Sequence, residues 1–384
     1  MTDTEILVIG GGIAGASAAF ELAARRKTIL VERESFCGYH STGRSAASFT
    51  ENYGNAVIRR LARASREFFE HPPAGLASAP LVTPRGMLTV GRADQRAALE
   101  AELVRGRQYV PDMYPVDADE AVRRVPILRR DYVAGGVVEP RSLDIDVHAV
   151  HQAFLKGFKG RGGAIAVDAE VVSLRRSHGS WQVETRAGSF TGAIVVNAAG
   201  AWADHVAALA GVHPVGLVPK RRTAFTVDAP VGIDVSGWPL VNDVAEQFYF
   251  KPDAGQLLVS PADATPSTPV DARPEELDIA IGVDRLERAT TLSITRIKHK
   301  WAGLRSFVAD GSPVVGWDDE AQGFFWVAGQ GGYGIKTAPA LARAVAGLVG
   351  HGRLPADLRE EGLREEDLAP GRCRMGLQSA PATF

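Results

Sequence analysis

Cysteine is scarce in this chain, because Cys37 and Cys373 are the only two among 384 residues. Two cysteines are too few for a disulfide framework, and their scarcity predicts a reducing, cytoplasmic compartment. An excess of positive charge is also missing, since 43 lysine and arginine residues are balanced by 45 aspartate and glutamate residues. A nucleic acid is therefore not expected as a partner. No uninterrupted apolar run of 18 residues occurs, so we predict no membrane span.

The sequence also lacks a recognisable set of metal ligands. His148 and His151 lie three residues apart in a helical pattern, but no further ligands stand at a suitable spacing, so no metal site is predicted. The length of 384 residues and the apolar content of the chain, by contrast, are informative. Hydrophobic residues make up 45% and charged residues 23%, which is typical of a globular protein long enough for two domains.

The most informative segment is a glycine-rich turn near the N-terminus. The apolar run 6–9 is followed by Gly10, Gly12 and Gly15 at the spacing G-x-G-x-x-G, and a helical pattern comes next. In a dinucleotide-binding turn the first glycine permits the tight bend, the second admits a pyrophosphate, and the third lets the helix pack closely on the strand. The free N–H groups at the helix N-terminus attract phosphate.

A second apolar run, 28–31, supports this interpretation because an acidic residue follows it. Glu32 stands 17 residues after Gly15, where a carboxylate can bind the ribose hydroxyls of an adenosine. The alternative is an ordinary βαβ unit with a glycine-rich turn. The strand before the glycines, the helix after them and the acid together favour a dinucleotide site.

Segments of nucleotide-binding character recur in the middle and at the end of the chain. The buried-strand patterns 193–197 and 323–328 each lead into a turn and a helix. Between them, residues 222–228, 246–251 and 256–260 alternate like strands of another sheet. We therefore predict an α/β fold, in which a Rossmann-like domain carries an inserted α+β substrate domain on a mostly antiparallel sheet. The predicted ranges are 1–80, 139–214 and 313–384 for the nucleotide-binding domain, and 81–138 and 215–312 for the substrate domain.

Several motifs, spread over nearly the whole chain, agree with one family. They are Gly10-x-Gly12-x-x-Gly15, Glu32-Arg33, 38–47, 197–202, Lys220-Arg221-Arg222, Phe248-Tyr249, 301–305 and 331–334. On these residues the chain resembles the superfamily of FAD-dependent D-amino-acid, glycine and sarcosine oxidases. Within it, the chain is most similar to bacterial D-amino-acid dehydrogenases of the D-arginine dehydrogenase type. The resemblance implies non-covalent FAD on a nucleotide fold of the glutathione reductase type, unrelated to that of p-cresol methylhydroxylase.

The polar loop 41–47 suits a flavin, because its hydroxyls, its N–H groups and the Arg44 guanidinium can wrap the pyrophosphate and ribityl chain. A serine-rich surface loop is the alternative. The glycine-rich segment 331–334 opens a helix whose dipole would stabilise negative charge on the reduced ring. Lys336 could add to this unless it is a solvent-exposed lysine. The predicted cofactor-binding residues are Gly10, Gly12, Ala14, Gly15, Glu32, Arg33, Ser41, Thr42, Arg44, Ser45, Ala46, Ala47, Ser48, Val171, Gly331, Gly332, Tyr333, Gly334, Ile335 and Lys336.

A substrate carboxylate needs a partner, and Arg305 is the best candidate because a guanidinium binds a carboxylate in two places. The resemblance implies that Tyr53 and Tyr249 hydrogen-bond the same carboxylate, and that Arg222 lies near the substrate side chain or the mouth of the site. These four are the predicted catalytic residues. The backbone carbonyls implied to contact the substrate amine are those of Gly303 and Gly332.

Two positions depart from those dehydrogenases that prefer basic D-amino acids, and both are predicted to face the substrate. The relatives have a glutamate on the strand after Pro84-Arg85, where this chain has Met87. A cationic side chain would lack its charge partner there, so neutral or apolar substrates are predicted. Ser48 stands where the relatives have a histidine near the flavin, which removes a proton shuttle or water-positioning group.

The predicted activity is that of an FAD-dependent D-amino-acid dehydrogenase or oxidase. The amine loses a proton, hydride passes from Cα to the flavin N5, and the imino acid hydrolyses to a 2-oxo acid and ammonia. The electron acceptor can be a quinone, a dye-like carrier or O₂. One alternative substrate is a different amine, such as sarcosine, glycine or proline, and another is a 2-hydroxy acid. A third alternative is a catalytically silent flavoprotein fold that binds a protein or a lipid.

Overall fold

The structure, a computed structural model, describes residues 2–377. Its strands are β1 Thr2–Ile9, β2 Thr28–Val31, β3 Ser48–Phe49, β4 Val82–Pro84, β5 Met87–Gly91, β6 Tyr114–Asp117, β7 Gly135–Glu139, β8 Leu143–Ile145, β9 Ala164–Ala166, β10 Val171–Ser177, β11 Ser180–Thr185, β12 Gly188–Asn197, β13 Val218–Asp228, β14 Leu240–Asp243, β15 Tyr249–Asp253, β16 Gln256–Ser260, β17 Thr265–Pro266, β18 His299–Phe307, β19 Val314–Trp317 and β20 Phe324–Ala328. Its α-helices are α1 Ile13–Leu22, α2 Ala56–Glu70, α3 Arg96–Gly106, α4 Ala118–Arg124, α5 Val147–Gly160, α6 Ala203–Leu209, α7 Glu276–Ala289, α8 Gly334–His351, α9 Ala356–Glu360 and α10 Gly371–Leu377. Met1 and residues 378–384, the outer ends of two predicted domain ranges, lie outside the described residues.

The first sheet has eight strands, of which β2 and β20 are buried along their whole length. Its order is β10-β11-β12-β1-β2-β9, and β20 pairs with β12 and with β19. The strands β20, β12, β1, β2 and β9 pair in parallel. Side chains of β1 alternate between two cores: Ile6 and Val8 pack with α1, α5 and α8, while Leu7 and Ile9 pack with α6, β10 and β11. The predicted Rossmann-like part of an α/β fold is confirmed.

The second sheet has nine strands from two separate parts of the chain, 87–139 and 218–307. Its order is β17-β13-β16-β15-β14-β5-β7-β6, and β18 pairs with β13. Only β14 and β5 pair in parallel among its described pairs, so the predicted mostly antiparallel sheet is confirmed. Its apolar face packs on α7 and α4 through a core that includes Phe225, Phe250 and Leu286.

A small three-stranded sheet, β3-β8-β4, lies where the chain passes between the two large sheets. Asp144 in its central strand pairs with Arg85 at 2.6 Å and with Lys251 of β15 at 2.9 Å. All three side chains are largely buried, so the pairing is shielded from solvent. This network fixes the second sheet against the strand that carries Ser48, which is antiparallel to β8.

Two strand boundaries differ from the pattern of the sequence. The predicted strand 246–251 begins at Tyr249, because residues 243–248 form a turn in which Asp243 accepts hydrogen bonds from the N–H groups of Ala245 and Gln247. Glu246 in that turn has a φ of +53°, which is incompatible with a strand. The predicted strand 222–228 extends back to Val218, because β18 pairs with β13 along its whole length.

Glycines cap one end of two helices that pack on the first sheet. Gly12 is the N-cap of α1, and α8 ends at Gly352, whose φ is +68°. The helix α8 is also the longest of the described residues, with 18 residues. None of the helices within 2–377 combines the length and the apolar character that crossing a membrane requires.

Candidate active site

A cavity of about 580 Å³ opens at the carboxyl ends of the parallel strands. Ile9, Val31 and Ala198, at the ends of β1, β2 and β12, line one side of it, and Arg222 and Gly303 of the second sheet line the other. Open α/β sheets bind ligands at this edge, and small-molecule pockets have volumes of about 300–1,000 Å³. The position and the size of this larger cavity therefore suit an extended cofactor.

The glycine turn after β1 shows the close packing that its spacing predicts. Gly10 has a φ of +106°, and a Cβ there would lie 2.4 Å from the carbonyl oxygen of Ala198. A Cβ on Gly15 would lie 1.8 Å from the carbonyl oxygen of Gly10, so α1 can approach β1 this closely only at a glycine. A Cβ on Gly12 would meet only the Thr42 Oγ1, at 3.3 Å. Since Gly12 lines the larger cavity, its free side offers room for a pyrophosphate.

Glu32 stands at the carboxyl end of β2 and lines the same cavity. Its Oε2 accepts the N–H of Gly11 at 2.6 Å, and its Oε1 accepts the N–H of Glu34 at 2.9 Å. The side chain is buried, so these two bonds fix the carboxylate beside the glycine turn. The site thus holds a buried acid where a ribose would need an acceptor for its hydroxyls.

Replacing Glu32 by glutamine is expected to weaken FAD binding by about 10- to 100-fold. The change removes the charge from the hydrogen bonds that the carboxylate makes, each worth about 1.5–3 kcal/mol when charged. Titration of apoprotein with FAD, followed by fluorescence, measures the loss. Glu34→Gln is the matched control, since Glu34 pairs with Arg33 and His40 and does not line the cavity. Equal affinities of the two variants would contradict the role of Glu32.

The polar loop after β2 closes another part of the larger cavity, and its contacts differ in part from those predicted. Thr42 Oγ1 accepts the N–H of Ile13 at 2.9 Å and so supports the first turn of α1. Ser41 Oγ donates to the carbonyl of Leu304 at 2.6 Å. The Arg44 guanidinium binds Asp271 and the carbonyls of Ala272 and Ala302. Arg44 therefore lines the cavity, but its donors tie this loop to the second sheet and to residues 271–272.

A second pair of glycines lies at the start of α8. Gly331 has a φ of +54°, and a Cβ there would lie 2.2 Å from the ring of Phe307. A Cβ on Gly332 would lie 2.9 Å from the Arg305 Nη1. Both glycines and Gly334 line the larger cavity, so the N-terminus of α8, with its partial positive charge, faces it.

A smaller cavity of about 160 Å³ adjoins the first and shares Arg222, Arg305 and Gly332 with it. Tyr53 and Tyr333 also line it, with their ring centroids 5.3 Å apart. The Tyr53 hydroxyl donates to Glu246 at 3.5 Å. Burial raises the pKa of Tyr53, so its hydroxyl stays a donor throughout the neutral range.

Two arginines on paired strands lie where the cavities join, and the smaller cavity also holds the charged side chains of Lys220, Glu246 and Asp263. Arg222 of β13 and Arg305 of β18 both face the junction of the cavities, and among residues 2–377 neither forms an ion pair with a carboxylate. Arg222 donates through Nε to the carbonyl of Asp263 at 2.6 Å. Burial lowers the pKa of Arg222, and the neighbouring charge of Arg305 lowers it further. Two unpaired guanidiniums in one place bind an anion.

Every residue predicted to bind cofactor or substrate lines one of the two cavities, with five exceptions. Gly15 packs α1 on β1, as described. Ala47 packs against the core between α1 and α8, and Ser48 bonds to Ser142 and to the carbonyl of Leu143 across the small sheet. Met87 in β5 is opposite Glu139 in β7. The structure thus does not bring Ala47, Ser48 or Met87 to the cavities: core packing holds Ala47, and strand pairing directs Ser48 and Met87 elsewhere.

Lys336 is the fifth exception and is almost fully buried. Its Nζ donates to the backbone carbonyls of Thr50 and Tyr53, at 2.8 and 2.7 Å, instead of facing the cavities. Two backbone carbonyls thus accept from the amine that was predicted to approach the flavin. Lys336 is neither a solvent-exposed lysine nor a residue that lines either cavity.

Glu139 is buried beside this lysine, and burial raises its pKa from 4.5 to about 7. The folded protein therefore keeps a proton that the unfolded chain releases, and stability is lost as the pH rises from about 4.5 to 7. Glu139→Gln cannot titrate and escapes this loss. The unfolding free energy of Glu139→Gln minus that of the unaltered protein should therefore be larger at pH 8 than at pH 5, by on the order of 2 kcal/mol.

Denaturant unfolding at both pH values measures this difference. Glu100→Gln is the control, because Glu100 is an exposed carboxylate on α3. A difference between Glu139→Gln and the unaltered protein that stays constant from pH 5 to pH 8 would contradict the raised pKa.

Several residues that line the cavities were not predicted as site residues, although Lys220 and Trp202 belong to the motifs 220–222 and 197–202. Lys220, Glu246 and Asp263 line the smaller cavity, and Trp202 and His205 line the larger one. The alternation of Lys220 with Arg222 on one strand is a signal that could have found Lys220. Glu246 and Asp263 lie on turns, where sequence spacing gives no indication of a shared site.

Comparison with known proteins decides the family. The model of the family described as DAO, FAD dependent oxidoreductase, matches residues 5–348. The chain belongs to this family of FAD-dependent oxidoreductases. Glycine oxidase of Geobacillus kaustophilus is 25% identical to it over 370 residues, which cover 90% of this chain and 92% of that protein.

Two more relatives of this FAD-dependent oxidoreductase cover it almost completely. Mitochondrial dimethylglycine dehydrogenase of Rattus norvegicus is 24% identical over 378 residues, or 93% of this chain, and the chain spans only 44% of that protein. The crystal structure of L-proline dehydrogenase from P. horikoshii has a TM-score of 0.82 at 22% identity, with 98% of this chain and 99% of that chain covered. This last likeness shows a shared fold.

FAD is the cofactor of this oxidoreductase, and the larger cavity fits it on three observations. The space beside Gly12 suits the pyrophosphate, the buried carboxylate of Glu32 suits a ribose, and the N-terminus of α8 suits an electron-rich ring. All three lie in one continuous cavity.

Proposed function

We propose that this oxidoreductase acts on the CH–NH₂ group of D-amino acids with neutral or apolar side chains. The imino acid product then reacts with water to give a 2-oxo acid and ammonia. The observation that carries the proposal is the pair of unpaired guanidiniums, Arg222 and Arg305, at the junction of the two cavities. A substrate carboxylate would supply the anion that this pair lacks.

The carboxylate would also accept hydrogen bonds from two tyrosines. Tyr249 lines the larger cavity and Tyr53 the smaller one, on either side of the two arginines. Burial raises the pKa of Tyr53, so its hydroxyl, which donates to Glu246 at 3.5 Å, stays protonated in the neutral range and would turn to a bound carboxylate. This arrangement would hold the carboxylate in one orientation and so aim the Cα–H bond.

The amine would be held by backbone carbonyls at Gly303 and Gly332, which both line the larger cavity. The positive charges of Arg222 and Arg305 disfavour an ammonium beside them, so the substrate releases its proton to solvent before oxidation. The bound amine then carries the lone pair that expels hydride from Cα. No strong protein base is required for this step.

FAD, when bound, supplies the two-electron acceptor for the Cα hydride. The contribution of the chain is to bind the carboxylate, to orient Cα and to keep the amine neutral. The electrons leave to an acceptor that we propose is a quinone, a dye-like carrier or O₂. The preference for neutral or apolar side chains is proposed from the sequence alone, because Met87, the residue that suggested it, lines neither cavity.

A second candidate is the oxidation of another amine on the same site. The relatives include a glycine oxidase, a dimethylglycine dehydrogenase and an L-proline dehydrogenase. A clamp built from Arg222, Arg305 and two tyrosines recognises a carboxylate, and it would hold sarcosine, glycine or proline as well as a D-amino acid. The same applies to a 2-hydroxy acid.

Anaerobic mixing of the purified holoenzyme with single substrates, followed at the oxidised flavin band, separates these candidates. We expect D-leucine, D-methionine and D-phenylalanine to bleach the band and their L-enantiomers to leave it unchanged. Faster bleaching by D-arginine would overturn the preference for neutral side chains. Bleaching by sarcosine, glycine or L-proline, but by no D-amino acid with an apolar side chain, would establish the second candidate instead.

A further inference from the structure

The segment that carries Tyr53 has no regular secondary structure, yet it is buried. Residues 50–53 lie between β3 and α2, and the side chains of Thr50, Glu51 and Asn52 are each at most 4% exposed. Irregular backbone in a protein interior needs partners for its carbonyl and N–H groups. The contacts that hold this segment therefore decide where Tyr53 lies.

The first of these contacts comes from α8, the helix that begins at the larger cavity. Lys336 lies in its first turn and donates to the carbonyls of Thr50 and Tyr53, at 2.8 and 2.7 Å. One nitrogen thus binds both ends of a four-residue segment. The same nitrogen lies 5.5 and 5.4 Å from the ring centroids of Tyr53 and Tyr333, which face the smaller cavity.

The second contact comes from the second sheet. Thr50 Oγ1 donates to Glu139 Oε2 at 2.7 Å and accepts the N–H of Asn52 at 3.1 Å. Asn52 in turn donates to Glu102 of α3 at 2.5 Å. Residues 50–53 are therefore hydrogen-bonded to α8 on one side and to β7 and α3 on the other.

An apolar side chain would fill the site of Lys336 without removing an amine from water, a removal that lowers the pKa of Lys336 to about 7. Among residues 2–377, Lys336 forms no ion pair that would offset this removal, and Glu139 Oε1 has no hydrogen-bond partner. What the amine adds is two directional bonds to one short segment. A general contribution to stability does not account for a side chain of this kind at this position.

We infer that Lys336 is a positioning residue, which fixes residues 50–53 so that the Tyr53 hydroxyl stays beside Arg305 at the substrate site. The inference rests on the proposed function in one respect, namely that Tyr53 faces a bound carboxylate. It assigns to Lys336 no direct contact with substrate or flavin, since the side chain does not line either cavity.

A double-mutant cycle on the holoenzyme tests this inference. The probe is benzoate, a carboxylate without an oxidisable Cα–H bond, and its Kd is read from the change that it causes in the flavin spectrum. We expect Tyr53→Phe and Lys336→Met each to raise this Kd about 5- to 10-fold. If Lys336 acts through Tyr53, the benzoate Kd of the double variant will be no higher than that of the single variant with the higher Kd.

Effects that multiply in the double variant would overturn the inference, and so would a benzoate Kd that Lys336→Met leaves unchanged. A shift of the flavin reduction potential in Lys336→Met with unchanged benzoate affinity would instead establish a direct role at the cofactor. Failure of the unaltered protein to bind benzoate would remove the carboxylate site and the inference with it.

Thr50→Val provides a second variant should Lys336→Met not fold. It releases the same segment from Glu139 while Lys336 remains, and its effect on benzoate binding should likewise vanish in the Tyr53→Phe background. Ser65→Ala is the matched control, because Ser65 Oγ accepts the N–H of Ala340 and thereby joins α2 to α8 without touching residues 50–53. It should lower stability and leave the benzoate Kd unchanged.

The test of the proposed function is separate from this cycle. If the holoenzyme binds benzoate and the cycle is non-additive, but no amino acid bleaches the flavin, the inference stands and the proposed activity is wrong. If D-leucine bleaches the flavin but the cycle is additive, the proposed activity stands and the inference is wrong.

Discussion

Arg305→Met is expected to lower kcat/KM for the substrate that bleaches the flavin by about 100- to 1,000-fold. Arg305 lines both cavities and forms no ion pair within residues 2–377, so its guanidinium is free to bind a carboxylate with two parallel bonds. Losing a charged, bidentate contact costs about 3–4 kcal/mol. Because the carboxylate is bound before and during oxidation, most of the loss should appear in KM.

Two further variants make this result specific. Arg305→Lys keeps the charge and loses the two-pronged geometry, so it should recover only part of the activity. Arg221→Met removes a guanidinium from β13, opposite Leu304, the residue before Arg305. Arg221 pairs with Glu275 and Asp278 and lines neither cavity. Arg221→Met should leave KM unchanged. A KM that is the same in Arg305→Met and in the unaltered protein would mean that the carboxylate binds elsewhere.

Gly15→Ala is expected to abolish folded, FAD-containing protein. The added methyl carbon would lie 1.8 Å from the carbonyl oxygen of Gly10, and both positions belong to backbone held by β1 and α1. Relief requires α1 to move away from the sheet, which breaks the packing of α1 on α8 and the shape of the glycine turn. The yield of soluble protein and its flavin absorbance measure the outcome.

Gly12→Ala separates folding from cofactor binding. Its methyl group would meet only the Thr42 Oγ1, at 3.3 Å, so the chain should still fold. The same methyl group would project into the larger cavity, where the pyrophosphate has to approach the backbone, and FAD affinity should fall at least about 10-fold. A Gly12→Ala protein that binds FAD as tightly as the unaltered one would show that the phosphates lie elsewhere.

The fold was largely predictable because its signals are local. The run 6–9, the glycines after it and the acid at Glu32 lie within about one βαβ unit, so their spacing alone predicts a strand, a turn and a helix. The alternation in β13 and β16 likewise predicts a second, antiparallel sheet. No strand was predicted at β18, because Gly303 and the polar residues around it obscure the alternation, and the motif 301–305 contributed only to the family resemblance.

The site was predictable in part, and two of its five exceptions share one cause. Arg222, Arg305 and Tyr249 lie on strands whose pairing brings them to the cavities. Ser48 and Met87 also lie on strands, but their partners in β8 and β7 keep them away from the cavities. The resemblance to a family identifies a position, whereas the neighbouring strand decides what that position faces.

The sequence by itself determined the cofactor turn, because the steric and hydrogen-bonding properties of Gly10, Gly12, Gly15 and Glu32 follow from residue type and spacing. Only the tertiary structure decided the role of Lys336. Its sequence neighbours suggest a contact with the flavin, yet its partners are carbonyls 283 and 286 residues away. A long flexible side chain takes the partners that packing brings within reach, and that choice is not encoded in its local sequence.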